Sequence, residues 1–264
     1  MKTKLFYFSG TGNTLQLARL LAAELENTEI INIVSCKEKI TIEEKTRIGI
    51  LYPVYAFGLP RAVQDFVKTK LDVNSKCYIF AFTNYAGAGG AAANSLLNYL
   101  LKEKGLKLNA SFGVKMPSNY IPFGGSKSPE KIDKIISAAK KQTTKIAGTI
   151  RKAPEKYRYK MSLMPGFASR YMNRQFMKST PKEAKRFYYT EECTSCGLCE
   201  SICPTDNIQI QSGHPVWGDN CEQCLACLQW CPVQAIKMRG VPEHRKQYHN
   251  PEVKAEDLLK DMNK

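Results

Sequence analysis

Lys4-Leu-Phe-Tyr-Phe-Ser-Gly-Thr-Gly-Asn-Thr14 is the stretch that decides the fold. Lys4 to Phe8 is a short apolar run closed by a glycine-rich turn, the pattern of a buried strand. Gly10 and Gly12 let the backbone turn tightly and approach a ligand. From Asn13 to Glu26, Leu17, Leu20, Leu21 and Leu25 recur at helical spacing. A loop carrying Ser9, Thr11, Asn13 and Thr14 thus lies between a strand and a helix N-terminus, whose free N–H groups and dipole favour a phosphate. No Gly-Lys-Ser/Thr follows, so the loop is not a Walker A motif. Leu15 stands where a dinucleotide fingerprint has its third glycine.

The same alternation continues outward. Glu29 to Val34, Arg47 to Val54, Cys77 to Thr83 and Leu106 to Met116 read as four further strands. Leu59-Pro60 opens a helix through Lys70, Ala91 to Lys104 reads as another, and Ser128-Pro129-Glu130 starts one that reaches Ile150. The order predicts an α/β fold over residues 1–151, a doubly wound sheet of five parallel strands covered on both faces. Its ligand is expected outside the carboxyl ends of the strands, where strand order reverses.

A hydroxyl-rich phosphate loop without lysine, placed after a first strand, resembles the FMN loop of flavodoxins, and the resemblance extends over residues 1–151. It implies FMN, with Ser9, Gly10, Thr11, Gly12, Asn13 and Thr14 at the phosphate. The loops after the third and fourth strands would hold the flavin ring, here Pro53-Val-Tyr-Ala-Phe-Gly58 and Thr83-Asn-Tyr-Ala-Gly-Ala-Gly-Gly90. The contacts so implied are Pro53, Tyr55, Ala56, Phe57, Gly58, Thr83, Asn84, Tyr85 and Gly87. Tyr55, Phe57 and Tyr85 either pack on the isoalloxazine or serve the core. The second ring loop lacks the acidic residue often found there in flavodoxins. Ser118-Asn-Tyr-Ile-Pro122, after the fifth strand, is expected to add a lid.

Eight of the ten cysteines fall within residues 187–236, in an internal duplication with a 28-residue shift. Cys193, Cys196, Cys199 and Cys203 map onto Cys221, Cys224, Cys227 and Cys231, and Pro204 maps onto Pro232. Both halves read C-x2-C-x2-C-x3-C-P, the bacterial iron–sulfur pattern in which the fourth cysteine serves the other cluster. One [4Fe–4S] cluster is therefore expected on Cys193, Cys196, Cys199 and Cys231, and a second on Cys221, Cys224, Cys227 and Cys203. Zinc would use two separated C-x2-C pairs and leave half the cysteines unexplained. Disulfides are disfavoured in a reducing compartment. The segment resembles the two-cluster ferredoxins, which implies a small α+β domain over 186–238 and one-electron transfer.

Charge follows this division. Residues 1–151 carry 22 basic and 11 acidic side chains, whereas 187–236 carry no lysine or arginine and six acids, within a chain of net charge +15. The lysines of the first region are scattered among glutamates, so a solvated surface and no nucleic-acid partner is expected. The acidic module is expected to dock on a basic surface, either the first domain or a redox partner protein. No stretch approaches the ~18 consecutive apolar residues of a membrane span. The apolar run after Met1-Lys-Thr-Lys4 is also too short for a signal peptide. A cytoplasmic protein without membrane contact is the expectation.

Residues 152–185 read as a basic connector, in which Pro165 opens a helix with Phe167, Ala168, Tyr171, Met172 and Phe176 as a stripe bracing the two domains. Residues 239–264 read as a polar tail without chemistry, with Asn250-Pro251-Glu252 capping a last short helix. Cys36 and Cys77 read as small buried hydrophobes, and His214, His244 and His249 as structural or solvated. The whole chain resembles flavodoxin–ferredoxin fusion proteins of anaerobic prokaryotes. That resemblance implies single-electron transfer between two [4Fe–4S] clusters and FMN. The sequence shows no nicotinamide site, so direct oxidation of a nicotinamide is expected to be slow or absent. An FMN-dependent oxidoreductase reducing a small quinone-like acceptor is the alternative.

Overall fold

The computed structural model describes residues 1–74, 76–154, 157–158 and 166–262. The strands of the first region, in chain order, are β1 (Thr3–Tyr7), β2 (Thr28–Asn32), β3 (Ile40–Ile42), β4 (Arg47–Pro53), β5 (Leu71–Val73), β6 (Tyr78–Tyr85), β7 (Leu108–Lys115) and β8 (Tyr157–Arg158). Leu5, Phe6, Tyr7 and Phe8 are all fully buried. A run with no solvent-facing side belongs in the middle of a sheet covered on both faces. β1 accordingly pairs in parallel with β2 on one side and β4 on the other. β4, β6 and β7 follow, also parallel, so the five expected strands lie in the order β2-β1-β4-β6-β7.

Two details differ from the sequence reading. The two-residue β8 extends the sheet beyond β7. The segment between the strands expected at 29–34 and 47–54 contains β3, which pairs with β5 in a separate parallel ribbon. Three-residue strands carry too little period-2 signal to stand out.

The helices are α1 (Asn13–Glu24), α2 (Arg61–Asp65), α3 (Gly90–Glu103), α4 (Pro129–Arg151) and α5 (Gly166–Glu183). α1 packs beside α4, and α3 lies against β6, β7 and α5. Right-handed crossovers in opposite directions from β1 place the two groups on opposite faces. The helix expected through Lys70 ends at Asp65 and widens into a π-turn over Phe66–Lys70, which buries Phe66 and Val67. Pro165 lies outside the described residues, and α5 begins at Gly166.

The cysteine-rich module is a pair of matching halves. β9 (Phe187–Tyr189), α6 (Leu198–Ser201) and β10 (Ile208–Gln211) recur as β11 (His214–Trp217), α7 (Ala226–Gln229) and β12 (Ile236–Met238). β9 pairs antiparallel with β12, and β10 with β11. The tail ends in α8 (Ala255–Met262), three residues later than its expected cap at Asn250-Pro251-Glu252. The Asn250 side chain accepts from the Glu252 N–H and otherwise faces the first loop. Among the described residues no helix is long and apolar enough to cross a membrane.

Candidate functional site

The loop after β1 lies where strand order reverses, between β2 and β4. Gly12 takes φ +88° and starts α1 with no side-chain cap. The first intrahelical bond runs from Gln16 N–H to Gly12 O, so the preceding N–H groups of α1 have no helical acceptor. A Cβ on Gly12 would stand 2.9 Å from Val253 of the tail, which is why the glycine serves the back of the loop rather than its ligand face.

The hydroxyls and amide of this loop are already oriented. Ser9 Oγ accepts from Gly12 N–H at 3.1 Å, and Thr11 Oγ1 accepts from Asn119 Nδ2 at 2.9 Å. Thr14 Oγ1 accepts from Asn84 Nδ2 at 2.6 Å. Each hydroxyl thereby keeps its own proton to donate. The Asn13 side chain is spent differently. Its Nδ2 donates to Pro117 O, and its Oδ1 accepts from Tyr248 Oη at 2.7 Å and Asn250 Nδ2 at 3.0 Å.

A cavity of about 630 Å³ opens over this loop, within the ~300–1,000 Å³ range of cofactor pockets. Ser9, Gly10, Thr11, Asn13 and Thr14 line one end, and Pro53, Tyr55, Ala56, Phe57, Asn84, Tyr85 and Gly87 the other. Three expected contacts stand outside it. Gly12 faces the tail. Thr83 is fully buried, with its hydroxyl on Asn94 Oδ1 and Phe112 O. Gly58 is bridged to Tyr55 and covered by Asn173.

Several lining residues escaped the sequence reading because they come from outside the doubly wound domain. α5 supplies Met172 and Phe176, and Phe176 meets Tyr55 edge-on at 6.4 Å. Buried Asn173 of the same helix donates to Tyr55 O at 2.7 Å and Leu59 O at 3.1 Å. It thereby secures the turn in which Ala56 and Phe57 adopt positive φ. The stripe on α5 was legible, but its partner was not. Ser118, Asn119 and Tyr120 of the expected lid do line the cavity, and Tyr120 stacks on Phe123, which is 83% exposed. Gln223, Cys224 and Leu225 close the remaining side. Among the described residues, no charged side chain lines the cavity.

The eight cysteines gather in two separate cavities. Cys193, Cys196, Cys199 and Cys231 line one, and Cys203, Cys221, Cys224 and Cys227 the other. The chain curls because residues among and just after the cysteines turn left-handed at matching places: Ser195 and Gln223, Gly197 and Leu225, Asp206 and Gln234. Backbone N–H groups point at sulfur in the same repeat, from Asn207 to Cys203 and from Ala235 to Cys231, each at 3.3 Å. Burial pushes the Cys199 and Cys221 thiols up to about 11, and those of Cys224 and Cys227 well above their usual value. A metal would have to displace those protons on binding.

Among the described residues no three His, Cys, Asp or Glu side chains converge on a single-ion site. Four cysteines gathered at each cavity without a single-ion site among them fit an iron–sulfur cube rather than a zinc ion. One buried donor also fits such a group: Trp217 Nε1, in the wall of the second cavity, has no acceptor. Of the remaining cysteines, Cys77 is buried and Cys36 half-buried.

The two modules meet at the flavin-type loop. Trp230 Nε1 donates to Gly10 O at 2.9 Å, and the Trp230 ring stacks on His249. Arg61 pairs with buried Glu222 at 3.4 Å, and the Glu222 carboxyl is pushed up to about 7 by burial. The tail read as inert holds the same loop from behind. Asn250, fully buried, donates from its backbone to Thr11 O and from its side chain to Gln16 Oε1.

A phosphate loop at the switch point of a five-stranded parallel sheet, followed by a doubled set of cysteine cages, defines a two-module protein of the electron-transfer class. The chain belongs to the flavodoxin domain family, whose profile matches residues 4–145, and a 4Fe-4S binding domain profile matches residues 187–209. These domains imply FMN and [4Fe–4S] clusters as the cofactors.

Ferredoxin-1 of Chlorobaculum tepidum is 39% identical over 56 residues, which is 19% of this chain and 90% of that ferredoxin. An oxidised flavodoxin from Bacillus cereus is 18% identical, with a TM-score of 0.37, over 58% of this chain and 98% of that one. A rubredoxin oxygen:oxidoreductase from Desulfovibrio gigas is 14% identical, with a TM-score of 0.35. The match takes in 58% of this chain and spans 36% of the oxidoreductase.

Proposed function

We propose that this chain passes single electrons between two [4Fe–4S] clusters and FMN within one molecule. The observation that carries the reading is that Cys224 and Leu225 line both the flavin-type cavity and the second cysteine cavity. When bound, the clusters supply single electrons and the FMN exchanges one or two. The remaining chemistry belongs to this chain's residues. The start of α1 with the Ser9, Thr11 and Thr14 hydroxyls would bind a phosphate without a cationic side chain. Tyr55, Phe57 and Tyr85 offer aromatic surface to the ring. Cys203, Cys221, Cys224 and Cys227 would hold the cluster nearer the FMN, and Cys193, Cys196, Cys199 and Cys231 the outer one. Cys196 is exposed, and the module around it has no cationic side chain from Phe187 to Ile236, which supports a basic redox partner docking there.

An anaerobic reductive titration of the purified full chain tests this reading. It expects about eight irons and one FMN per chain, with flavin bleaching on top of the broad iron–sulfur decrease. A chain that holds clusters but takes up no added FMN would overturn it.

A second reading is favoured by one observation. Among the described residues no charged side chain lines the cavity, which ends at exposed Phe123 and Met172. A flat, uncharged acceptor of the quinone class suits that mouth, and steady turnover of a soluble quinone under a reductant feeding the clusters would distinguish an oxidoreductase from a carrier.

A further inference from the structure

The two cysteine cavities repeat each other so closely that their differences stand out. Backbone donors to Cys203 and Cys231 match at 28 residues' spacing, and so do the left-handed residues between the cysteines. The 28-residue shift also pairs Trp217 with Tyr189. These two side chains are not equivalent in place. Trp217 lies in the wall of the cavity of Cys203, Cys221, Cys224 and Cys227, whereas Tyr189 is absent from the lining of the outer cavity. Tyr189 is instead 41% exposed and stacked on His214 at 4.4 Å.

Trp217 is held in position by the Phe187 ring, stacked at 5.9 Å and 16°. Its indole nitrogen is shut off from water and has no acceptor within hydrogen-bonding distance. A buried donor is seldom left unpaired in a folded protein, so an acceptor supplied by a bound group is expected at this point. The cavity that the indole borders is the one lined by Cys203, Cys221, Cys224 and Cys227.

We propose that Trp217 is a potential-setting residue for the inner cluster alone, its indole N–H donating to sulfur of the cluster held by Cys203, Cys221, Cys224 and Cys227. The proposal rests on the reading that both cages hold [4Fe–4S] clusters. Hydrogen bonds to sulfur are among the levers that set a cluster's potential. A donor beside sulfur interacts more strongly with the more negative, reduced state, so it raises the potential. With Tyr189 in the matching place, the outer cluster lacks this donor. An otherwise symmetric pair is thereby made unequal, on the side that faces the FMN cavity.

The test is Trp217→Phe in the full chain, which keeps an aromatic ring against Phe187 and removes the indole donor. Iron and sulfide content, with the circular dichroism of the folded chain, establish first that both clusters are present. Potentiometric titration followed by electron paramagnetic resonance is expected to show one cluster shifted to more negative potential, with the other cluster and the FMN unmoved. An unchanged inner cluster, or equal shifts of both clusters, would overturn the proposal.

If the variant does not fold, wild-type and Trp230→Phe proteins carrying 15N-indole tryptophan replace it. Trp217 and Trp230 are the two tryptophans. A nitrogen hyperfine coupling to a reduced cluster that persists in Trp230→Phe supports the proposal, and its absence from the wild type overturns it. A wild-type protein with fewer than eight irons after anaerobic reconstitution would instead overturn the reading beneath it.

Discussion

Trp230 donates its indole N–H to the carbonyl oxygen of Gly10 at 2.9 Å, so the residue before the last cysteine of the module grips the phosphate loop of the other domain. The bond is buried, and its loss leaves the Gly10 carbonyl without that partner. Trp230→Phe keeps the ring stack on His249 and is expected to cost about 1–3 kcal/mol locally. FMN binding, followed by quenching of flavin fluorescence, should weaken about tenfold or more while iron content stays at the wild-type value.

Gly10 is also a point of close approach between the two modules. A Cβ there would stand 2.6 Å from the backbone oxygen of Cys224, and backbone cannot swing aside as a side chain can. Gly10→Ala is therefore expected to push the cysteine module off the loop, at a cost of about 1–3 kcal/mol. Hydrogen exchange should rise in residues 8–14 and 221–231 together, with the far strand β7 unchanged.

Asn250 makes its bonds with the same loop from the tail. Asn250→Ala removes the amide nitrogen that donates to both Asn13 and Gln16, and Asn250→Asp replaces it with an acceptor facing two oxygens. Both variants should bind FMN more weakly, the aspartate more so, with the order read directly from their dissociation constants. A tail that merely decorates the surface would leave all three proteins alike.

Leu225 is a bulky residue at φ +63°, where the matching position of the other half is Gly197 at φ +73°. The left-handed region strains a side chain such as leucine by about 1–3 kcal/mol. Leu225 nonetheless walls both the FMN cavity and the inner cysteine cavity. Leu225→Gly should relieve the backbone and open the wall between the two. Faster loss of the inner cluster in air, measured by the decay of its visible absorbance, is the expected outcome.

Removing the clusters should disturb the flavin site. The helices of the module are four residues each, and its core rests on a few side chains such as Phe187, Ile208, Leu228 and Ile236. A module so small depends on its metal for folding. Stripping iron with an oxidant and chelator is expected to release FMN as well, because Gln223, Cys224 and Leu225 form one side of its cavity. Gel filtration with absorbance detection would show flavin leaving with the iron.

Strand order and the division of the eight cysteines both follow from local patterns. An apolar run such as Leu5–Phe8 has one place to go in a parallel sheet, and a fixed cysteine spacing has one way to curl. Those features were legible because period and spacing act within a few residues of each other. Asn173, Asn250, Met172 and Trp230 act across more than a hundred residues of chain. Nothing local distinguishes Asn250 in a polar tail from a solvated asparagine, or Thr83 in a ring loop from a cofactor contact.

The sequence by itself determined the two modules, their cofactor classes and the pairing of cysteines across the repeat. Only the tertiary structure decided that both modules share a wall, that α5 lines the cavity over the first loop while the tail braces that loop from behind, and that Trp217 stands at one cage while its counterpart Tyr189 does not. The reason is physical. Periodicity reports which face of an element is buried, but long-range packing alone selects what it is buried against.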